Sequence, residues 1–365
     1  MSKQAVTIDV RMLNCSGIGI YIQNILPFLI EHFQLILLGN KKELNEFEWA
    51  AKTKIISFKA NIYSVKEQFL FPKIIPKTKL LWCPHFNIPL FPVKAQNLIC
   101  TIHDVNHLAL KKSVYSLKYG YAKKLISKAV NKSNRIITVS EFSKSEIIKH
   151  TNASQNQIEV IPNGIRPDFY KTDKENLSIE LPNNYFLFVG NVKPHKNLIV
   201  LLKAYLALSS TLQKKFKIVV IGKKEGFVTG DRKIFDFIKK HGLEKSVIFT
   251  GYVPNNTISK VYKNAEAFIF PSIYEGFGLP LLEAMSCNTP VICSDIAPFK
   301  EVATDAALFF DKNNAISLKE KIERLIHDND LKSKLILKGK QNILKYSWEK
   351  AANKHIELFY SIIKR

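Results

Sequence analysis

The chain has 365 residues, enough for about two domains, and a hydrophobic fraction of 46%, ample for packed cores. Its formal net charge is +23, from 54 Lys plus Arg against 31 Asp plus Glu, which favours acidic partners such as phosphates, anionic lipid or nucleic acid. Five scattered cysteines (Cys15, Cys83, Cys100, Cys287, Cys293) without a C-x-x-C pair argue against a disulfide framework and for a reducing compartment. The longest apolar stretch, 18–38, is broken by Gln23, Pro27, Glu31 and His32 and so reads as a buried helix plus a strand rather than a membrane span.

Strands and helices alternate along the chain. Residues 1–5 lead straight into a strand at 5–10, with no signal peptide expected; 14–19 reads as a glycine turn and 21–31 as a helix. Further strands are expected over 33–38, 54–58, 80–83, 97–103, 135–140 and 158–162, with clear amphipathic helices over 115–133 and 141–151. The segment 164–182 is polar and carries two prolines, which marks a linker. The pattern then restarts: strand 185–190, helix 198–209, strands 216–222, 247–251, 265–271 and 289–295, and a last helix beginning near Ser347. This alternation predicts an α/β fold with two Rossmann-like, doubly wound domains, 1–170 and 171–346, and ligands at the carboxyl ends of the strands in a cleft between them.

The most informative stretch is Ser272-Ile-Tyr-Glu275-Gly-Phe-Gly-Leu-Pro280-Leu-Leu-Glu283, between two apolar strands. Gly276 and Gly278 allow a tight loop, and Pro280 suits the first turn of a helix, where its missing N–H is harmless. Loop amides from Gly276, Phe277, Gly278 and Leu279 and the helix N-terminus form a cradle for a diphosphate. Glu275 is expected in the loop and Glu283 in the first helical turn, flanking the anion and able to accept hydrogen bonds from hydroxyls on either side.

That string resembles the Glu-x7-Glu motif of retaining glycosyltransferases with the GT-B fold, the family-4 type, and in particular mannosyltransferases of bacterial O-antigen and other surface polysaccharides. The resemblance implies that Glu275 contacts the donor sugar and Glu283 the nucleotide ribose. It also implies that the terminal helix, about 347–365, crosses back onto the first domain. Other segments match the family over almost the whole chain. Gly17 and Gly19, after the first strand, correspond to a loop against the donor phosphates. His103, at a strand end beside Asp104, corresponds to a histidine contacting the transferred sugar. Ser140 begins a strand-to-helix segment at the cleft floor, where it also reads simply as a helix N-cap. Asn163 lies in the approach to the hinge, where Asn163 and Gly164 also read as a turn with positive φ. In Gly190-Asn191-Val-Lys193-Pro194-His195-Lys196, Lys196 matches the cation that binds the donor diphosphate and Gly190 the preceding glycine. Asn191 replaces the usual arginine, which leaves His195, Lys193 or no residue as the second cation.

The implied activity is a metal-independent, retaining transfer of a hexose from a nucleotide sugar, with GDP-mannose the favoured donor and UDP- or dTDP-sugars the alternatives. The acceptor is lipid-linked or a saccharide, met at the cytoplasmic face of the cell membrane. No cofactor is implied. Competing readings are weaker. Tyr119-Gly-Tyr-Ala-Lys123 fits the Tyr-x-x-x-Lys pattern of short-chain dehydrogenases, but no glycine-rich fingerprint precedes it. Gly222-Lys-Lys-Glu-Gly226 lacks the Gly-Lys-Ser/Thr of a P-loop, and His103-x-x-x-His107 lacks the glutamate of a zinc protease. A nucleic-acid binder would explain the charge, yet the lysines are interspersed with acids and the aromatics sit in core strands. The basic run 111–150, with ten Lys or Arg opposed by Glu141 and Glu146, marks an anionic membrane surface as a partner.

Overall fold

The computed structural model describes residues 3–110, 117–166, 169, 180–222, 231, 233–254 and 257–364. They divide into two units, Met1–Gly164 with Ser347–Arg365, and Ile165–Tyr346. The first boundary therefore falls at 164/165, whereas the sequence reading has 170/171.

The first unit is built on seven strands: β1 (Ala5–Asp9), β2 (Gln34–Gly39), β3 (Lys54–Ser57), β4 (Leu80–Cys83), β5 (Asn97–Thr101), β6 (Arg135–Thr138) and β7 (Ile158–Val160). They lie in the order β3-β2-β1-β4-β5-β6-β7, every neighbouring pair parallel. The second unit holds β8 (Tyr185–Val189), β9 (Lys217–Ile221), β10 (Val247–Gly251), β11 (Ala267–Phe270), β12 (Val291–Ser294) and β13 (Ala307–Phe310). Their order, β10-β9-β8-β11-β12-β13, is also wholly parallel. Both sheets thus run 3-2-1-4-5-6, the doubly wound order, whose switch point lies between the first and fourth strands. The apolar runs explain this. Every residue of β4, β11 and β12 is buried, as parallel strands covered on both faces require. The sequence reading has no strand at Ala307–Phe310, whose Leu308 and Phe309 are only half-buried at the sheet edge.

The helix Trp348–Ile363 packs on the first unit through its buried face. Phe359 lies 5.9 Å from the Phe33 ring and 5.5 Å from Trp82. His355 anchors it by a buried relay. Its Nδ1–H donates to the Ala351 carbonyl (2.7 Å), so Nε2 accepts the Tyr21 hydroxyl (2.5 Å). Tyr21 in turn accepts from Thr101 (3.2 Å), whose oxygen takes the Trp82 indole N–H (3.0 Å). Every polar atom of this chain is paired, which is what lets four such groups be buried together.

Candidate active site

In the second unit the site grows from the switch point. The strands β8 and β11 are neighbours, and the loops after them are tied by Ile273 N–H donating to the His195 carbonyl (2.8 Å). After β8, Gly190 takes φ +149°, a conformation open to glycine. A 3-10 turn, Pro194–Lys196, follows, and Asn197 in the left-handed region starts the helix Leu198–Leu206. That turn aims Lys196 at the second loop, where its Nζ meets Glu275 Oε1 at 2.6 Å and lies 5.1 Å from the centre of the Phe270 ring. Both side chains are mostly buried.

The loop after β11 closes on Gly278, at φ +114°, where a Cβ would meet Leu281 and Phe299 at 3.0–3.1 Å. The helix Leu279–Ser286 begins there with no side-chain cap and Pro280 in its first turn. Uncapped amides at that end attract an anion. Phe277 is buried edge-on against Tyr346 (5.7 Å), so its side chain serves the core and only its backbone borders the loop.

Glu283 is placed differently from the sequence reading. It opens the second turn rather than lying in the first, and it is buried. Its Oε2 accepts the Tyr262 hydroxyl (3.0 Å). Burial raises its carboxyl above the usual range, while Arg166 and Tyr262 pull it back down. Arg166 was not singled out from the sequence. It is buried, lies 4.8 Å over the Phe169 ring, and its Nε has no hydrogen-bond partner. Phe169 in turn meets Tyr262 edge-on at 5.8 Å. Gly222, dismissed above with the P-loop pattern, has a structural duty: a Cβ there would sit 2.3 Å from the Gly190 carbonyl oxygen. It lets the ends of β8 and β9 close up beneath the Lys196 turn.

In the first unit, His103 lies two residues beyond β5. Its Nε2–H donates to the Pro84 carbonyl (2.9 Å), which leaves Nδ1 as the acceptor of the neutral ring. Burial holds it below the ordinary histidine range, and Tyr21 packs edge-on against it at 4.9 Å. Asp104 accepts the Asn106 N–H (2.9 Å) and so opens a short helix. Ser140 caps the helix Glu141–His150 by accepting the Ser143 N–H (3.0 Å), while the Ser143 hydroxyl donates to the His103 carbonyl (3.0 Å). Ser140 thus acts on His103 through the helix it caps.

Two glycine readings need correction. Gly17 and Gly19 do not form a turn; the helix already runs from Ser16 to His32 and both lie in its first turns. A Cβ on Gly19 would come within 2.3 Å of the Leu13 carbonyl oxygen, so that glycine admits its own loop rather than a ligand, whereas Gly17 faces open space. Asn163 and Gly164 do not take positive φ either. Gly164 is required because a Cβ would strike the Trp348 backbone at 2.1 Å, and the buried Asn163 keeps an unpartnered Oδ1.

The loop after β4 carries a feature the sequence reading missed. Arg11, past β1, donates to both Asp9 oxygens (2.8 and 2.6 Å), to Glu67 Oε2 (2.7 Å) and to the Ala60 carbonyl (3.1 Å). Asn87 donates to Glu67 Oε1 (2.9 Å), and His85 Nδ1 accepts the Asn87 N–H (3.1 Å). All five residues are buried in side chain. They could not be picked out in advance because they are scattered over nearly eighty positions and meet only at the β1/β4 switch point. Among the described residues, no group of three His, Cys, Asp or Glu is arranged to hold a metal ion.

Comparison with known proteins agrees with this architecture. Residues 169–342 match the family model "Glycosyl transferases group 1", and residues 52–169 match "Glycosyltransferase Family 4". O-antigen chain mannosyltransferase B of Escherichia coli is 28% identical over 282 residues, covering 76% of this chain and 72% of that protein. O-antigen chain mannosyltransferase RfbU of Salmonella typhimurium is 32% identical over 247 residues, 68% of this chain and 65% of that one. Among solved structures, sucrose-phosphate synthase from Thermosynechococcus elongatus superposes with a TM-score of 0.80 at 18% identity, covering 99% of this chain and all of that one, a likeness of fold. With two adjoining family models spanning 52–342 and two parallel sheets in the doubly wound order, the chain belongs to the GT-B glycosyltransferases of the family-4 type.

Proposed function

We propose that the protein is a retaining, metal-independent mannosyltransferase that takes mannose from GDP-mannose and passes it to a lipid-linked or saccharide acceptor in surface-polysaccharide synthesis. The observation that carries this is the Lys196–Glu275 pair beside the uncapped N-terminus of Leu279–Ser286, with the buried Glu283 one turn further on. A departing diphosphate needs positive charge where its own charge develops. Lys196 and the helix amides supply it; a phosphate replaces Glu275 as the partner of Lys196, which frees that carboxylate for a sugar hydroxyl. Glu283, held by Tyr262, offers an acceptor to the ribose. His103 offers Nδ1 as an acceptor to a sugar hydroxyl. In this reading the acceptor hydroxyl attacks on the face from which the diphosphate leaves, and no side chain serves as a covalent nucleophile.

The test is kinetic. Glu283→Gln and Lys196→Ala are each expected to lower nucleotide-sugar kcat/KM by at least tenfold, about 1.4 kcal/mol. Unchanged kinetics in both would refute the site. Turnover is expected to survive exhaustive chelation, because the proposed cations are side chains; loss on EDTA with recovery on added manganese or magnesium would point to another transferase class. Offering UDP- and dTDP-sugars in parallel identifies the donor. A nucleic-acid partner is not part of this reading.

Membrane docking belongs to the same proposal, since a lipid-linked acceptor is met at a surface. Residues 111–116 of the basic run lie outside the described residues. In the helix Leu117–Lys132, Leu125, Ile126 and Val130 are buried, so its apolar stripe faces the core, while Lys123, Lys124 and Lys128 are exposed. Apolar contact would come instead from Val65, Phe69 and Phe91, which are 71%, 60% and 44% exposed and ringed by the exposed Lys66, Lys73 and Lys94. Each cation near an anionic surface contributes about 1 kcal/mol, screened by salt. Cosedimentation with anionic but not zwitterionic vesicles is expected, abolished at high ionic strength and weakened by replacing Lys123, Lys124 and Lys128 with Glu. Equal binding by that variant, or none by the parent at low salt, defeats this part.

A further inference from the structure

His103 is tied down at only one edge of its ring. Its Nε2–H donates to the Pro84 carbonyl (2.9 Å), and its backbone carbonyl accepts the Ser143 hydroxyl (3.0 Å). Neither bond sets the plane of the imidazole, because the last torsion of a histidine side chain has broad, shallow wells. A ring held at Nε2 alone can tilt, and Nδ1, the atom offered to a sugar hydroxyl, moves with it. Tyr21 limits that tilt. Its ring stands edge-on to His103, with centres 4.9 Å apart and planes at 89°, an arrangement that aromatic pairs prefer.

Tyr21 is itself held by groups from two distant parts of the chain. It is the sixth residue of the helix Ser16–His32 and is fully buried. Its hydroxyl donates to His355 Nε2 (2.5 Å) and accepts from Thr101 (3.2 Å), the last residue of β5 and two positions before His103. His355 lies 334 positions away in the last helix, with its Nδ1–H anchored on the Ala351 carbonyl (2.7 Å). Burial brings that imidazole down to about 4, so its Nε2 remains an acceptor at neutral pH. Packing alone does not explain these residue types. Apolar side chains at 21 and 355 would bury no hydroxyl and no imidazole, groups that cost free energy until each is paired. What the polar pair adds is direction, since a hydrogen bond weakens steeply when it bends and an apolar contact does not. The ring that receives this direction is the ring that meets His103.

We infer that Tyr21 is a positioning residue for His103, and that His355 of the last helix holds Tyr21 to that task through its hydroxyl. The last helix thus acts on the sugar side of the reaction without touching the sugar. This rests on the reading of His103 as a sugar contact in the transferase above, and it names the residues that keep Nδ1 in place. Tyr21 and His355 belong to the first unit, whereas Lys196 and Glu283, proposed to hold the nucleotide, belong to the second. Losing the relay should therefore act on kcat and spare KM.

The test uses the full chain with GDP-mannose, or with UDP-glucose or dTDP-glucose where one of these turns over faster. Tyr21→Phe keeps the ring and removes the hydroxyl. It is expected to lower kcat about tenfold while KM for the nucleotide sugar changes by less than about twofold. His355→Leu is expected to do the same. His355→Gln, whose side-chain oxygen can take the Tyr21 hydroxyl, is expected to recover most of that loss. In a His103→Ala background, Tyr21→Phe is expected to lower kcat no further, since the ring it acts through has gone. Side-chain histidine NMR reads the same effect without substrate. The His103 signals, assigned by their absence in His103→Ala, are expected to move or broaden in Tyr21→Phe and His355→Leu and to return towards the parent's in His355→Gln. An equal fall in kcat with and without His103 overturns the inference, as do His103 signals unmoved in Tyr21→Phe or a His355→Gln variant as slow as His355→Leu. A Tyr21→Phe variant that melts earlier but keeps the parent's kcat overturns it as well. Should His355→Leu fail to fold, Tyr21→Phe decides. A His103→Ala variant with the parent's kcat would instead sink the sugar-contact reading, and the NMR signals then decide the positioning on their own.

Discussion

At the scale of single residues, the site is governed by how burial and partners divide the charge. Glu283 is held above the usual carboxylate range by burial and brought back by Arg166 and by the Tyr262 hydroxyl. Removing that hydroxyl in Tyr262→Phe takes away one stabiliser of the ionised form, so the carboxyl is expected to titrate at still higher pH. Nucleotide affinity should then weaken several-fold near neutrality, and the acidic limb of its pH profile should move up; Arg166→Met should move it the same way. Isothermal titration with GDP between pH 5 and 8 checks both, and an unmoved limb would show that Glu283 does not face the nucleotide. Lys196, Glu275 and Glu283 stood out as candidates because they lie in short strings punctuated by glycine and proline. Arg166 did not, since its segment carries no periodic pattern and its effect depends on Phe169 and Tyr262 meeting it in space.

At the scale of elements, the strand-to-helix junctions decide which glycines matter. Gly17 and Gly19 look alike in sequence and differ in space. Gly17→Ala is expected to be accommodated and to raise stability by about 0.5–1 kcal/mol, because alanine suits a helix better. Gly19→Ala must push back the Leu13 carbonyl and is expected to destabilise the unit. Thermal melts of the two variants check this, and equal melting temperatures would contradict it. The alternation of apolar runs was enough to reveal twelve of the thirteen strands among the described residues, all but Ala307–Phe310. It was not enough for helix ends. The helix expected over 198–209 ends at Leu206, and Ser209 caps a separate one at Ser210–Lys215. Nor does periodicity reveal a close backbone approach such as Gly222 against Gly190, which depends on how two strand ends meet.

At the scale of the molecule, two histidines couple folding to acidity. His85 and His355 are buried, and burial pulls each down to about 4. In the unfolded chain they titrate near 6.5. Between these values the unfolded state binds more protons, so stability is full above about pH 6.5 and falls as pH drops towards 4. Each contributes a slope of up to about 1.4 kcal/mol per pH unit. Glu67 and Glu283, raised by burial, act in the opposite sense over the lower part of this window and offset some of the loss. Urea unfolding at pH 7 and pH 5 should show the decrease, and His355→Gln should flatten it. An identical slope in that variant would mean His355 is not the titrating group.

The return of the last helix to the first unit has a consequence for biosynthesis. Residues Ile165–Tyr346 form one uninterrupted segment, whereas the first unit needs both Met1–Gly164 and Ser347–Arg365. A ribosome delivers these pieces in order, so the later unit has everything it needs while the earlier one still lacks its covering helix. Until His355 arrives, the Tyr21 hydroxyl has no imidazole to receive it, and Trp82 and Phe33 have no Phe359 to cover them. The nascent first unit thus waits with an open apolar face, a natural station for a chaperone. Released chains truncated after Tyr346 are expected to give a protease-resistant second unit and a protease-sensitive first unit, which gains resistance only when Ser347–Ile363 is present.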